Sequence, residues 1–315
     1  MRPDPNDRST FLGATDAASI LGVSKWRTAV DVYLEKTGGL PQDTLAKMRR
    51  RSIVQKRGKI LEPFIREMTI EKLRDDGHEV ELIGTNERFQ HKRYPFLMAE
   101  IDFRLRVDGE VINADAKSVN QHNRSEWGDV GSDDVPIYYA AQFMQGLSLT
   151  PGKPQRCLAA ALRSFDDVSI YWTKRDEVTI DAMHERMVRF WKDHVQKRRP
   201  PDPINFGDIR GLFPVEKPAS IEIDEETRGR VEKLRELEQR AKTIAEAIEH
   251  EKFWIARYMG DHALLTDGVR NVLQFETETR SRLDQKAFKR DHPDWFAMYV
   301  TETRTRVLRA AKGRA

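Results

Sequence analysis

The chain has 315 residues, enough for one large or two moderate domains, and 39% hydrophobic residues suffice for a proper core. No apolar run approaches the roughly 20 residues that span a bilayer, and Met1-Arg2-Pro3-Asp4 opens polar rather than as a signal peptide, so the expectation is a soluble, cytoplasmic protein with no membrane partner. The single cysteine, Cys157, lies in the apolar run Cys157-Leu158-Ala159-Ala160-Ala161, which excludes disulfides within the chain and clusters of cysteine ligands and predicts a buried thiol. A net charge of +3 with 33% charged residues permits a nucleic-acid partner without identifying one. The basic clusters Lys47-Met48-Arg49-Arg50-Arg51 and Lys197-Arg198-Arg199 suit phosphates and solvated helix faces equally.

In chain order, Thr15 to Leu21 and Val30 to Glu35 read as two short helices, the second stopped by Gly38-Gly39. Ile60, Phe64, Met68 and Leu73 follow a helical repeat, with Pro63 in the first turn and Glu62 at the helix start. The period then changes to two, through Glu79 to Ile83 and from Leu97 to Val107. Asp108-Gly109 is a hairpin signal, and Glu110 to Lys117 is the returning strand. After a polar loop, Pro136 to Leu149 reads as a helix, Gln155 to Leu162 and Ser169 to Trp172 as strands, and Thr179 to Gln196 as a further helix. Pro200-Pro201-Asp202-Pro203 and the stretch to Pro218 read as a linker, with a boundary near residue 215. Beyond it Leu234, Ala241, Ile248 and Ile255 recur every seven residues, with Leu237, Ile244 and Tyr258 on the second heptad position. This predicts one long amphipathic helix that pairs within the chain or with a second copy. The tail, with strand-like Val272 to Phe275 and Val300 to Leu308 around a helical Leu283 to Lys289, reads as a small α+β appendage.

The chemistry concentrates on the hairpin. A two-residue turn at Asp108-Gly109 sets Asp102 across from Asp115, and Lys117, two residues on, shares the face of Asp115. Carboxylates beside apolar flanks are expensive to bury unless they are paired or hold a metal. Hard oxygen donors suit Mg²⁺, which offsets the charge of a phosphodiester under attack, and an ammonium alongside orients the water. The Ala116 carbonyl is a further candidate ligand, and Glu62 a carboxylate supplied from upstream.

The series Arg8…Gly13-Ala14-Thr15-Asp16-Ala17-Ala18…Leu21-Gly22, Gly58-x-x-x-Glu62-Pro63, Ala99-Glu100-Ile101-Asp102, Asp115-Ala116-Lys117 and Tyr139-x-x-Gln142 resembles the YqaJ-type viral recombinase, lambda-exonuclease-like family of the PD-(D/E)xK nuclease superfamily over residues 8 to 175. The resemblance implies a restriction-endonuclease-like α/β core, a mixed central sheet flanked by helices; with the boundary near 215 the nuclease domain is 1–215, and 216–315 is an accessory region, a long helix and small α+β segment, that the compact exonuclease lacks. It implies 5′ to 3′ digestion of one strand of linear duplex DNA with Mg²⁺, Mn²⁺ substituting, in a homo-oligomer that serves phage-type recombination beside a single-strand annealing protein. Carried over, Asp102, Asp115 and Glu62 are metal ligands, Lys117 assists the attacking water, Gln142 supports the site, and Arg8 and Thr15 hold the terminal 5′-phosphate. Asp115 stands where glutamate is commoner and Thr15 where serine is common, swaps that keep the chemistry, and no proline immediately precedes Asp102.

His91 and His122 lack a second histidine or cysteine at ligand spacing. Of Trp26, Trp127 and Trp172, only Trp127, in the loop after Lys117, is a candidate for DNA contact. Two other functions stay open: a RecB- or Cas4-like nuclease on single strands without an iron–sulfur cluster, and a DNA-end-binding scaffold without turnover.

Overall fold

Asp108 and Gly109 adopt φ of 48° and 83°, the left-handed pair that a two-residue hairpin requires. From that turn β2 (Met98–Val107) and β3 (Glu110–Ser118) run antiparallel, registered from Val107↔Glu110 to Phe103↔Ala114. The structure is a computed structural model that describes residues 4, 7–39, 42–164, 167–302 and 304–310, with the backbone alone for 42–52, 54, 55, 121 and 122. β1 (Val80–Gln90) pairs antiparallel with β2, β3 pairs parallel with β4 (Arg156–Leu162), and β4 pairs antiparallel with β5 (Val168–Lys174). The result is a mixed five-stranded sheet in the order β1-β2-β3-β4-β5, as expected.

Helices cover both faces. On one, Ile65, Ile70 and Leu73 of α3 (Gln42–Asp75) pack on Phe103, Ile112, Leu158 and Ile170. On the other, Phe143 and Leu147 of α4 (Ile137–Leu149) pack on Cys157, Ala159, Ala161 and Tyr171. The parallel β3–β4 pair encloses α4 as its crossover. α1 (Ala14–Ile20), α2 (Ala29–Thr37) and α5 (Glu177–Phe190) share a further core with α4.

Four expectations are corrected. Helix α3 begins about twenty residues before Pro63, so Glu62 lies inside the helix and not at its start. Proline forfeits one hydrogen bond to the preceding turn, and packing on the sheet sustains the helix through that loss. The face α3 buries is Ile65, Thr69, Ile70 and Leu73, while Ile60 and Phe64 remain 75% and 46% exposed. The stretch after Pro203 contains α6 (Phe206–Leu212): Asn205 caps it, and buried Asp208 accepts from Thr28 Oγ1 at 2.7 Å and from the Ile204 N–H at 2.9 Å, which ties the segment to α2. The described residues of 300–308 form no strand, because no partner strand supplies the ladder hydrogen bonds that extended backbone needs.

The chain divides into two compact units, one of Met1–Glu216 with Thr305–Ala315, the other of Lys217–Arg304. The second holds α7 (Glu225–Met259), capped by Asp224, then the hairpin of β6 (Leu264–Thr266) and β7 (Asn271–Gln274), then α8 (Gln285–Asp291) and α9 (Pro293–Tyr299). No helix among the described residues is long and apolar enough to cross a membrane.

Candidate active site

The hairpin brings Asp102 and Asp115 one step beyond the last β2–β3 pair, Phe103↔Ala114. Strand β2 loses its alternation there. Glu100 reaches Lys59 of α3 at 3.0 Å and Phe103 packs on α3, yet Ile101 between them packs on α4, where a Cβ added to Gly146 would lie 2.8 Å from its Cδ1. Strict period two would set 101 and 103 on one face. Asp102 is the residue that absorbs the change, and its Oδ2 accepts the Ala116 N–H at 2.9 Å. Such an irregularity re-aims a side chain toward the strand gap.

Asp115 and Lys117 share the α4 face, as their spacing predicts. Asp115 accepts from Gln142 Nε2 of α4 at 3.1 Å through one oxygen and pairs with Lys117 Nζ through the other. Lys117 is 11% exposed, and its ammonium lies 5.1 Å from the Tyr139 ring centroid and 5.6 Å from that of Phe143. Burial pushes the Lys117 ammonium below its ordinary value, against the opposing pull of Asp102, Cys157 and Glu62. Glu62 approaches from α3: burial and then Asp102 raise its carboxyl, against Lys59 and Lys117. The Cys157 thiol beneath is buried and pushed up to about 12 by that burial.

Among the described residues no group of three or more His, Cys, Asp or Glu is drawn together for a metal ion. The donor chemistry nevertheless fits a hard divalent cation: burial and then Asp102 raise the charge cost of the Glu62 carboxylate, which a cation relieves, and every donor is oxygen. Ala116, whose N–H Asp102 holds, is paired in the ladder with Ala160.

Arg8 sits in a network that sequence reasoning missed. Its Nη2 donates to Asp16 at 3.2 Å and its Nε to Glu35 at 3.0 Å; Arg27 Nη1 donates to Asp16 at 3.1 Å and Nη2 to Glu35; Lys36 Nζ lies 3.0 Å from Asp16 and donates to the Arg8 carbonyl at 2.7 Å. Burial works to raise the Asp16 carboxyl, but Lys36, Arg8, Arg27 and the Gly13 N–H hold it down at about 2. Arg8 keeps 48% of its side chain exposed, and Thr15, in the first turn of α1, is exposed. Only Arg8 and Asp16 lay within a motif; Arg27, Glu35 and Lys36 carry no local signal of their meeting.

Trp127 is corrected: it is 6% exposed and packs on Tyr139 and Tyr171, because the loop folds back over β5. Trp26 is the exposed one, at 46%, edge-on to Tyr138 with centroids 4.6 Å apart. Tyr138 is buried and donates to Glu126 at 2.7 Å. His91 stands 5.2 Å from His184 on the flank of α5, away from the carboxylates. The side chains of His122 and of the cluster at 47–51 lie outside the described residues, and Lys197 to Arg199 are exposed at a helix end.

Residues 5–152 match the YqaJ-like viral recombinase domain. The chain is 24% identical over 314 residues to an uncharacterized protein, YqaJ, of Bacillus subtilis (strain 168), across 95% of this chain and 91% of that one. Among solved structures it is similar to an alkaline exonuclease, LHK-Exo, from Laribacter hongkongensis, at 17% identity and a TM-score of 0.39, over 61% of this chain and 91% of that chain. The same enzyme in complex with dAMP is similar at 16% identity, with the same TM-score and coverage.

Proposed function

From a YqaJ-like viral recombinase domain over residues 5–152, we propose that this chain is a Mg²⁺-dependent deoxyribonuclease that resects linear duplex DNA from the 5′ end for phage-type recombination. The observation that carries the reading is the pair of Asp115 and Lys117 braced by Gln142 on β3, with Asp102 of the neighbouring strand accepting the Ala116 N–H between them. Asp102, Asp115 and Glu62 would hold the cation, with the Ala116 carbonyl as a further ligand, and Mn²⁺ would substitute. Bound there, the cation supplies charge neutralisation to the phosphodiester.

The protein groups do the rest. Lys117, desolvated and set against two aromatic faces, orients the attacking water and counters charge on the phosphate oxygens. Gln142 fixes the rotamer of Asp115. Arg57 and Lys59, on the α3 flank, offer cations to the DNA backbone: Arg57 donates to Ser118 at 2.9 Å, and Lys59 is 62% exposed. Arg8 and Thr15 would receive the terminal 5′-phosphate. The partners that follow are duplex ends, a single-strand annealing protein and further copies of the chain.

The test is to incubate linear duplex, closed circular and single-stranded DNA with Mg²⁺, using wild type and Lys117→Ala. Digestion of linear duplex that is faster with a 5′-phosphate, and about 10²–10³-fold slower in the variant, is expected. Cutting of the closed circle would make the chain an endonuclease, preference for single strands would make it a RecB-like nuclease, and equal inactivity of both proteins would favour a scaffold.

A further inference from the structure

The loop between α1 and α2 presents an indole that touches both groups of side chains assigned above to phosphates. Trp26 is 46% exposed. It meets Tyr138 at 73° with centroids 4.6 Å apart and Tyr139 at 45° with centroids 6.5 Å apart, so neither tyrosine stacks parallel on it. Tyr139 is also the ring that lies 5.1 Å from the Lys117 ammonium. Arg27, the next residue in the chain, donates to Asp16 and Glu35, the same two carboxylates that hold Arg8. We propose that Trp26 is the stacking platform for the base of the terminal 5′ nucleotide, an inference that rests on the reading of this site as one that receives DNA ends.

The loop is built to hold the ring still. Ser24 Oγ accepts the N–H groups of both Trp26 and Arg27 at 3.3 Å, and the Ser24 N–H donates to the Ala18 carbonyl at 3.1 Å. Lys25 Nζ lies 2.6 Å from one oxygen of Glu126, whose other oxygen accepts from Tyr138 at 2.7 Å. A ring fixed before binding loses little freedom when a base covers it. Arg8 at the terminal phosphate and Lys117 at the scissile one grip the two sides of a single nucleotide, and the base between them needs an apolar face rather than a further charge. The end of a linear duplex leaves one face of its last base uncovered, whereas a closed circle has no such face. A platform here therefore favours ends, and it does so for any sequence, because every base has a π face.

Full-length wild type, Trp26→Leu and Trp26→Phe are titrated, with Ca²⁺ in place of Mg²⁺, onto hairpin duplexes with one 5′-phosphorylated end whose last nucleotide either carries its base or is abasic. Wild type is expected to bind the intact end about tenfold more tightly, the effect of one base–aromatic stack. Trp26→Leu should bind both ends equally, and Trp26→Phe, which keeps a smaller aromatic face, should retain part of the preference. Because the two ends are compared within each protein, a variant that folds less well still reports the ratio. Equal binding of both ends by wild type, or an undiminished preference in Trp26→Leu, would overturn the platform, and so would a wild type that binds neither end. Mg²⁺ is then added to the wild-type complexes. A base preference that Trp26→Leu abolishes, together with no digestion by wild type, would sink the nuclease reading and leave the platform standing.

Discussion

Two clusters of charge lie close together in sequence order yet are built on opposite terms. Around Asp16, Arg8, Arg27 and Lys36 enclose Asp16 and Glu35, three cations against two carboxylates, and every oxygen of Asp16 is taken by a donor. Around Asp102 the carboxylates outnumber the cations: Glu62 is raised by burial and by Asp102, and Lys117 alone is buried against Asp115. The first cluster satisfies itself. The second leaves Glu62 raised against Asp102, a repulsion that the proposed cation would relieve and that the self-satisfied network around Asp16 lacks.

That contrast can be broken at its strongest point by Asp16→Asn. Removing one partner of a buried ion network costs about 3–5 kcal/mol, read by denaturant unfolding, and a loss below about 1 kcal/mol would class the network with exposed pairs. The surplus cation is the next test. If Arg8 receives a terminal phosphate, Arg8→Ala should weaken the preference for 5′-phosphate over 5′-hydroxyl duplex by about tenfold, one charge-assisted hydrogen bond. Unchanged preference would leave Arg8 a wholly structural member of the network. The smallest effect concerns acid. Burial, then His91, holds His184 down at about 4, below its ordinary 6.5; a depressed folded value means that its stabilising contribution is full above pH 6.5 and lost as pH falls through 4. Asp16, held at about 2 against an ordinary 3.8, contributes fully above 3.8 and fades only toward pH 2. Melts from pH 7 to 4 should therefore lose a few degrees of midpoint that His184→Gln, whose amide does not titrate, retains. An equal slope in both proteins would assign the acid sensitivity elsewhere.

Local chemistry fixed much of this molecule in advance. The Asp108-Gly109 turn dictated the register of β2 and β3, because a two-residue turn leaves one pairing, and that register runs to Phe103↔Ala114, one position short of Asp102 and Asp115. Period two carried Lys117 to the face of Asp115, and the heptad pattern of Leu234 to Ile255 announced α7. What tertiary structure decided lay wherever partners are distant. It carried α3 straight through Pro63, broke the alternation of β2 at Asp102 between α3 and α4, folded Trp127 into the core, and gathered Arg27, Glu35 and Lys36 around Asp16. Periodicity and turn chemistry act over a few residues and are written in the chain. Which face is covered, and which charge finds its opposite, depends on packing between segments that only the folded chain brings together.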